Sequence, residues 1–141
     1  MTVVTSLSFA GRTEEALEFY KDRLGAEIMF LMRFHESPDP SFTKPGREEL
    51  IFHATFRIDG TELMASDADV LNGERSVLFS GFALALRLDS IERAEKIFNA
   101  LSDGGNVVLP LAKSTFTAAY GIVKDRFGLT WKLVVSNEEQ P

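Results

Sequence analysis

The chain has 141 residues, a length that fits one folded domain with a substantial hydrophobic core. It contains no cysteine, which excludes disulfides, thiolate metal sites and cysteine nucleophiles. The formal net charge is −6 and the basic residues are scattered, so we expect no nucleic-acid partner, because phosphate binding needs clustered Lys and Arg. The sequence shows no secretory signal and no apolar run of membrane-spanning length, so we expect a cytoplasmic protein with no membrane partner.

The first half of the chain predicts five elements in the order β-α-β-β-β. Leu7 and Phe9 alternate with polar residues, as in a half-buried strand. A helix follows, with Thr13 as its expected N-cap and Gly25 as its end. Asp59 and Gly60 are typical of a hairpin turn between two further strands. The four strands are expected at residues 3–9, 26–34, 50–58 and 62–66.

Two segments without a strand or helix pattern interrupt this order. Residues 35–49 include Pro38, Pro40 and Pro45, and loops of such length are often lids, arms or disordered segments. Residues 67–75 are polar and are expected to connect the two halves.

The second half of the chain predicts the same order of elements. A strand is expected at 82–88, and Ser90 is the expected cap of a helix that ends at Gly104 and Gly105. A short strand at 106–109 and a loop at 110–117 follow. Residues 119–124 and 129–135 are expected to form a hairpin around Asp125-Arg-Phe-Gly128.

The two halves match residue by residue, as an internal duplication requires. Core positions and turn glycines occupy corresponding places in the same sequence order. The matched sets are Leu7-x-Phe9 with Leu86-x-Leu88, Ala16-x-x-x-Tyr20 with Ala94-x-x-x-Phe98, and Gly60 with Gly128.

Several motifs resemble a known family over nearly the whole chain. They are Leu7-Ser-Phe-Ala-Gly11, Glu15-Ala-Leu-Glu-Phe-Tyr20, Met64-Ala-Ser-Asp-Ala68, Ser80-Gly-Phe82, and Asp125-Arg-Phe-Gly128 with Trp131. Together they resemble the PhnB-like branch of the glyoxalase/bleomycin-resistance, or vicinal oxygen chelate, superfamily. The pattern Asp-Arg-Phe-Gly-x-x-Trp is the most specific part of this resemblance.

The resemblance implies an α+β fold of two tandem βαβββ modules that form a curved sheet with a concave pocket. The expected single domain covers residues 1–136, with its halves at about 1–67 and 76–136 and a flexible tail at 137–141. It also implies a small-molecule ligand and a homodimer.

Metal-using relatives hold their ion at four pocket-facing strand positions, two in each half. The repeat places these positions at about Val4, Met64, Ala83 and Lys132, and none of these is a carboxylate or an imidazole. We therefore expect no metal and no other cofactor.

Polar and aromatic side chains remain on the strand face expected to line the pocket. The residues expected to bind a ligand are Ser6, Ser8, Thr55, Arg57, Arg87, Phe116, Tyr120 and Lys132, with Thr130 on the same face. The cations among them favour a small polar or anionic organic ligand. Alternatively, Arg57 and Arg87 meet solvent or pair with Asp59 and Asp89.

His53 is the candidate catalytic residue, since an imidazole suits general acid–base chemistry near neutral pH. Alternatively, it is a strand histidine that only hydrogen-bonds to a neighbour. Asp67 is either functional or simply ends its strand through local hydrogen bonds.

These observations leave three functions open. The first is metal-free binding of a small polar or anionic molecule. The second is an enzyme of the glyoxalase or dioxygenase type, or another lyase or transferase, with His53 as acid or base and Arg57 or Lys132 stabilising negative charge. The third is a dimeric domain whose pocket has degenerated.

Overall fold

The computed structural model describes residues 1–67 and 79–137. The chain divides into two compact units, Met1–Val77, here the N-unit, and Leu78–Pro141, here the C-unit. Except for Asp67, the predicted connector lies outside the described residues, and so does the predicted tail after Asn137. Over the described residues, no helix is long and apolar enough to cross a membrane.

The N-unit contains one helix and four strands in the predicted order. Residues Phe34–Glu36 and Pro40–Phe42 of the long loop form short 3-10 helices. The main elements are β1 (Ser6–Ser8), α1 (Thr13–Leu24), β2 (Glu27–Arg33), β3 (Ile51–Ile58) and β4 (Thr61–Ser66).

The four strands of the N-unit form one sheet in the order β1-β4-β3-β2. β1 runs parallel to β4, and the other pairs are antiparallel. The apolar positions of the strands alternate, so that one sheet face is buried under α1. Tyr20 of α1 stacks on Phe56 of β3, with ring centroids 6.3 Å apart.

The start of α1 corrects one expectation. Thr13 is the first residue of the helix and not its N-cap, which is Arg12 with no capping side chain. Asp67 supplies the missing acceptor, because its Oδ1 accepts hydrogen bonds from the backbone N–H groups of Gly11 (2.8 Å) and Thr13 (3.1 Å). Gly25 ends the helix with φ 69°, as expected.

The C-unit repeats the element order and the sheet order of the N-unit. Its elements are β5 (Leu84–Leu88), α2 (Ile91–Ser102), β6 (Asn106–Ala112), β7 (Thr117–Lys124) and β8 (Thr130–Ser136). The sheet is ordered β5-β8-β7-β6, and β5 runs parallel to β8. The tandem βαβββ fold is therefore confirmed, whereas the joining of the two sheets into a curved, concave surface stays a prediction.

The cap of α2 is confirmed, since the Ser90 side chain accepts a 3.1 Å hydrogen bond from the N–H of Arg93. The predicted end of β6 is wrong, because the strand continues through Pro110 to Ala112. β6 is an edge strand, where a proline costs no ladder bond, and its register against β7 shifts twice.

α2 packs on one face of the C-unit sheet, around Gly121 of β7. A Cβ at Gly121 would lie 2.8 Å from the Phe98 ring and 2.8 Å from the Leu111 Cα, so the helix and the edge strand approach this backbone closely. Trp131 and Leu133 of β8 are buried on this face. Trp131 therefore belongs to the core of the C-unit.

Candidate functional site

Each sheet has a second face, opposite its helix, which we call the helix-free face. On the N-unit sheet, Ser6, Met64, Thr55 and Phe30 are cross-strand neighbours in one row across all four strands. They alternate with buried residues that face α1, so the row belongs to the helix-free face. Its side chains are small, uncharged or apolar.

His53 lies on this same face, beside Met32 of β2. Its ring is half-buried and lies 6.1 Å from the ring of Phe30, at an angle of 47°. Within residues 1–67 and 79–137 it makes no hydrogen bond and no ion pair. A general base is commonly oriented by a carboxylate or a carbonyl, and the described residues provide none for His53.

Arg57 ends this face with acidic neighbours on both sides. Its partner on β2 is Glu27, and its partner on β4 is Glu62. Residues directly opposite in antiparallel strands have Cβ atoms about 4.5–5.5 Å apart. The local charge around Arg57 is therefore net negative, which makes this position a poor site for an anion.

The helix-free face of the C-unit has a different character. One row holds Ala85, Lys132, Ile122 and Leu109, and the next holds Arg87, Val134, Tyr120 and Ala112. Arg87 and Lys132 are exposed, whereas Tyr120, Ile122 and Val134 in the same two rows are half-buried. The helix-free face of this sheet therefore has an apolar surface on which exposed cationic side chains are placed.

A third cation, Lys124, belongs to this face. It is paired with Thr130 on β8 and is exposed. Lys124 is not among the predicted site residues, although counting by twos from Tyr120 along β7 reaches it. The predicted residues Arg87, Tyr120, Thr130 and Lys132 are all found on this face as well.

No carboxylate lies on the strands of the C-unit. The sequences of β5, β6, β7 and β8 contain no Asp and no Glu. Within the described part of the chain, Arg87, Lys124 and Lys132 form no ion pair, and Asp89 just beyond β5 does not pair with Arg87. The whole chain has a formal net charge of −6, whereas this sheet face carries three positive charges that have no ion-pair partner among the described residues.

Phe116 is the remaining predicted ligand-binding residue. It lies in the turn between β6 and β7 and its surface is 72% exposed. The turn is ordered by Ser114, whose Oγ accepts hydrogen bonds from the N–H groups of Phe116 (3.2 Å) and Thr117 (3.1 Å).

The positions expected to hold a metal in related proteins do not offer suitable ligands. The strand neighbour of Met64 is Ser6, and that of Lys132 is Ala85. Neither these four residues nor the expected Val4 and Ala83 carry an imidazole, thiolate or carboxylate, so they do not fit a divalent cation. Among the described residues, His, Cys, Asp and Glu form no group of three or more that could hold a metal ion.

Asp67 has a structural role at the end of β4. Its side chain is fully buried, and besides the bonds at the start of α1 it accepts hydrogen bonds from the hydroxyl of Thr13 and the N–H of Ile51. The carboxylate thereby links α1, β3 and β4. All four of these hydrogen-bond donors are groups of the protein itself.

Several residues in and around the loop 35–49 have pKa values shifted from their ordinary values. A hydrogen bond from Arg33 lowers the pKa of Glu14, and the same bond raises the pKa of Arg33. Hydrogen bonds from Ser41 lower the pKa of Asp39, and backbone N–H donors lower that of Glu48.

Two shallow surface depressions of the C-unit lie on and beside α2, and neither contains a predicted site residue. One is lined by Ser90, Glu92, Arg93 and Lys96. The other is lined by Glu95, Phe98, Asn99, Val107, Pro110 and Leu111. Both involve α2, which packs on the face of the sheet opposite the three cations.

Comparison with known proteins agrees with this architecture. A glyoxalase/bleomycin-resistance/dioxygenase domain from Frankia sp. EAN1pec has a TM-score of 0.65 at 13% identity, covering 99% of this chain and 94% of that chain. At this identity the likeness shows the fold alone, and the class of fold is that of the glyoxalase/bleomycin-resistance proteins.

Nearer relatives define the family. The family model described as 3-demethylubiquinone-9 3-methyltransferase matches residues 1–134. Protein YjdN of Escherichia coli K12 is 31% identical over 141 residues, which cover 94% of each chain. The chain therefore belongs to this PhnB-like family.

Two solved structures are similar to this chain over nearly its whole length. The PhnB protein from Bacillus cereus has a TM-score of 0.81 at 27% identity, covering 96% of this chain and 100% of that chain. The protein PA1353 from Pseudomonas aeruginosa has a TM-score of 0.84 at 31% identity, covering 96% and 98% respectively.

Proposed function

We propose that this chain binds a small anionic organic molecule, without a metal ion, on the helix-free face of the C-unit. The observation that carries the proposal is the positive charge of Arg87, Lys124 and Lys132, which form no ion pair with a described residue, on a sheet whose strands contain no carboxylate. Lys132 is at the centre of this charge, with Arg87 on the neighbouring strand β5. Arg offers a planar pair of N–H donors that fits a carboxylate, and Lys adds a mobile point charge.

The surroundings of the cations suit an organic anion better than an inorganic one. Ile122, Val134 and the ring of Tyr120 lie in the rows between them, and Thr130 adds a hydroxyl. Binding sites for small molecules commonly combine such an apolar floor with a few polar groups that orient the ligand. Ser6, Ser8 and Thr55 line the helix-free face of the N-unit, where Arg57 is balanced by Glu27 and Glu62.

The enzyme alternative stays a prediction. The family description names a methyltransferase, and a transferase or lyase would need an acid or base near its substrate. His53 is the candidate, but it lies on the N-unit face and lacks a described hydrogen-bonding partner. Binding is therefore the function that the charges of the C-unit favour.

The test is a native mass spectrometry screen of the purified protein with a defined mixture of small carboxylates, sulfonates, neutral polyols and amines. We expect the retained molecules to be anionic, and we expect Lys132→Ala to weaken their retention. Lys96→Ala is the matched control, since it removes the same charge from α2 on the opposite side of the same sheet. The same spectra report the oligomeric state, for which we expect a dimer.

Three outcomes would contradict the proposal. The first is retention of neutral molecules or amines in preference to anions. The second is an equal effect of Lys132→Ala and Lys96→Ala, and the third is no retained anion at all. If a retained molecule is turned over, and His53→Ala abolishes turnover while its affinity stays the same, the enzyme alternative replaces simple binding.

A further inference from the structure

The three cations of the C-unit form a diagonal line across three adjacent strands. Lys132 on β8 is level with Ala85 on β5, and Arg87 is two residues further along β5. On the other side, Lys132 is level with Ile122 on β7, and Lys124 is two residues further along β7, level with Thr130. Lys132 is thus a diagonal neighbour of both Arg87 and Lys124.

The spacing along this line follows from sheet geometry. Diagonal neighbours on adjacent antiparallel strands, such as Lys132 and Lys124, lie about 7–8 Å apart. Arg87 is level with Val134, and Lys124 is level with Thr130. Because Val134 and Thr130 lie on either side of Lys132 along β8, Arg87 and Lys124 lie on opposite sides of Lys132. One carboxylate can contact a neighbouring pair, but it is too small to reach both ends of the line.

The residues between the cations are apolar or neutral. Val134 and Ala85 complete the corners between Arg87 and Lys132, and Ile122 and Thr130 complete those between Lys132 and Lys124. A hydrocarbon linker can cross this surface without leaving a polar group unpaired. A second charged group on the linker would then meet the cation at the far end.

We propose that the preferred ligand is an organic dianion whose two negative groups engage opposite ends of the line Arg87, Lys132 and Lys124, with its hydrocarbon part on Ile122 and Val134. This inference rests on the proposed function, and it specifies the class of molecule that the same face binds. The Arg87 guanidinium holds one carboxylate as a fork, and Lys132 and Lys124 share the other as point charges.

The N-unit face gives no such arrangement, which makes the inference specific. There, the corresponding strands carry Glu27 and Glu62 beside the single Arg57. A dianion near that face would be repelled by two carboxylates. The binding of dianions is therefore expected on one unit only.

Adipate and its monomethyl ester are the probes, because they have the same chain and differ by one negative charge. Titration of the 141-residue chain, monitored by calorimetry and by amide NMR shifts, compares their affinities, and glutarate and pimelate test the effect of chain length. We expect adipate to bind about two- to fivefold more tightly than the monoester, the gain typical of one further exposed ion pair. The advantage should shrink at high salt, where the screening length falls to about 3 Å.

The variants Arg87→Ala and Lys124→Ala remove the two ends of the line. Each should reduce the affinity for adipate to near that of the monoester, while Lys96→Ala leaves the preference unchanged. The amide signals of β5, β7 and β8 are expected at the chemical shifts of folded strands in each variant. A variant that has lost these shifts is unfolded and is recognised directly.

Equal affinities for adipate and its monoester would overturn the inference. If both then still depended on Lys132, the proposed function would stand and only the second charge would be wrong. If none of the dicarboxylates bound, the dianion inference would fail, and the separate screen of anions would decide the proposed function. Preference for adipate that survives in both Arg87→Ala and Lys124→Ala would place the second charge elsewhere.

Discussion

The indole Nε1 of Trp131 donates a 2.9 Å hydrogen bond to Oδ2 of the buried Asp125 carboxylate. Oδ1 of the same carboxylate accepts hydrogen bonds from the N–H groups of Phe127 (2.9 Å) and Leu129 (3.0 Å). Asp125 thus closes the turn between β7 and β8 and fixes the side chain that precedes Lys132. These bonds explain the Asp and the Trp of the pattern Asp-Arg-Phe-Gly-x-x-Trp.

Trp131→Phe should lower the free energy of unfolding by about 1–3 kcal/mol, because it removes a buried donor to a charged group. Asp125→Asn should cost more, since its amide nitrogen would face the indole N–H when its oxygen accepts from the backbone. Urea denaturation of both single variants and the double variant measures this. We expect Asp125→Asn to cost less in the Trp131→Phe background than alone; strictly additive losses would contradict the direct bond.

The carboxylate of Asp67 offers a graded series in the N-unit. Thr13→Val removes one of its four donors and should cost about 1 kcal/mol. Asp67→Asn places an amide nitrogen opposite an N–H donor and should lower the free energy of unfolding further. Asp67→Ala leaves the N–H groups of Gly11, Thr13 and Ile51 without this acceptor and should lower the free energy of unfolding the most.

Chemical denaturation of the three variants gives the order directly. An Asp67→Ala protein as stable as Thr13→Val would show that water or a nearby group replaces the carboxylate. Asp67→Asn close to wild-type stability would show that the Ile51 contact contributes little.

Two glycines form a matched pair for testing close packing. A Cβ at Gly105 would lie 2.2 Å from the carbonyl oxygen of Lys124 and 2.9 Å from the carbonyl carbon of Asp125, both of which are backbone atoms. Gly105→Ala should therefore destabilise the protein by at least about 1–3 kcal/mol, as overpacking does. Gly60 has open space around it and no left-handed φ, so Gly60→Ala should be neutral or stabilising by up to about 1 kcal/mol.

Thermal and urea unfolding of both glycine variants are the measurements. Because both changes are Gly to Ala, the loss of chain freedom in the unfolded state is the same, and the difference reports the contact with Lys124 and Asp125. Equal stabilities of the two variants would contradict the close approach of these backbones.

Most of the fold could be predicted from local patterns because many strand and helix ends have a local signal. Gly25 and the turn at Asp59 and Gly60 are examples, and the hairpin at Asp125 is another. The prediction failed where tertiary contacts decide the outcome. Thr13 reads as a cap, but the acceptor for the start of α1 comes from Asp67, more than fifty residues away in the chain.

The candidate site was harder to predict than the fold, since charges act through their neighbours. Alternation along β3 placed Arg57 on the correct face, but only the register with β2 brings Glu27 beside it, and that register contains shifts. Lys124 is the last residue of the predicted strand 119–124, and its position relative to Lys132 depends on the register between β7 and β8. A single sequence shows which residues share a face, whereas pairing between strands shows which charges compensate one another.

The ion pair between Arg33 and Glu14 gives a prediction about pH. The Arg33 guanidinium hydrogen-bonds the Glu14 carboxylate and also donates to the carbonyl oxygen of Glu49 (2.7 Å), so it links α1 to the end of the loop 35–49. The bond with Arg33 lowers the pKa of Glu14 in the folded state. The stabilisation is therefore complete above the unfolded pKa of about 4.3 and is lost as the pH falls through the folded pKa.

Glu14→Gln should lower the free energy of unfolding at pH 7 by less than about 1 kcal/mol, since the pair is partly exposed. The difference from wild type should shrink below about pH 4, where the wild-type carboxylate becomes protonated. Urea unfolding between pH 3 and pH 7 measures this, with Glu18→Gln as the control, because Glu18 is an exposed residue of the same helix that forms no ion pair with a described residue. A difference in the free energy of unfolding that persists unchanged at pH 3 would show that the introduced amide side chain disturbs packing. A loss equal to that of Glu18→Gln at every pH would show that the link to Arg33 does not stabilise the protein.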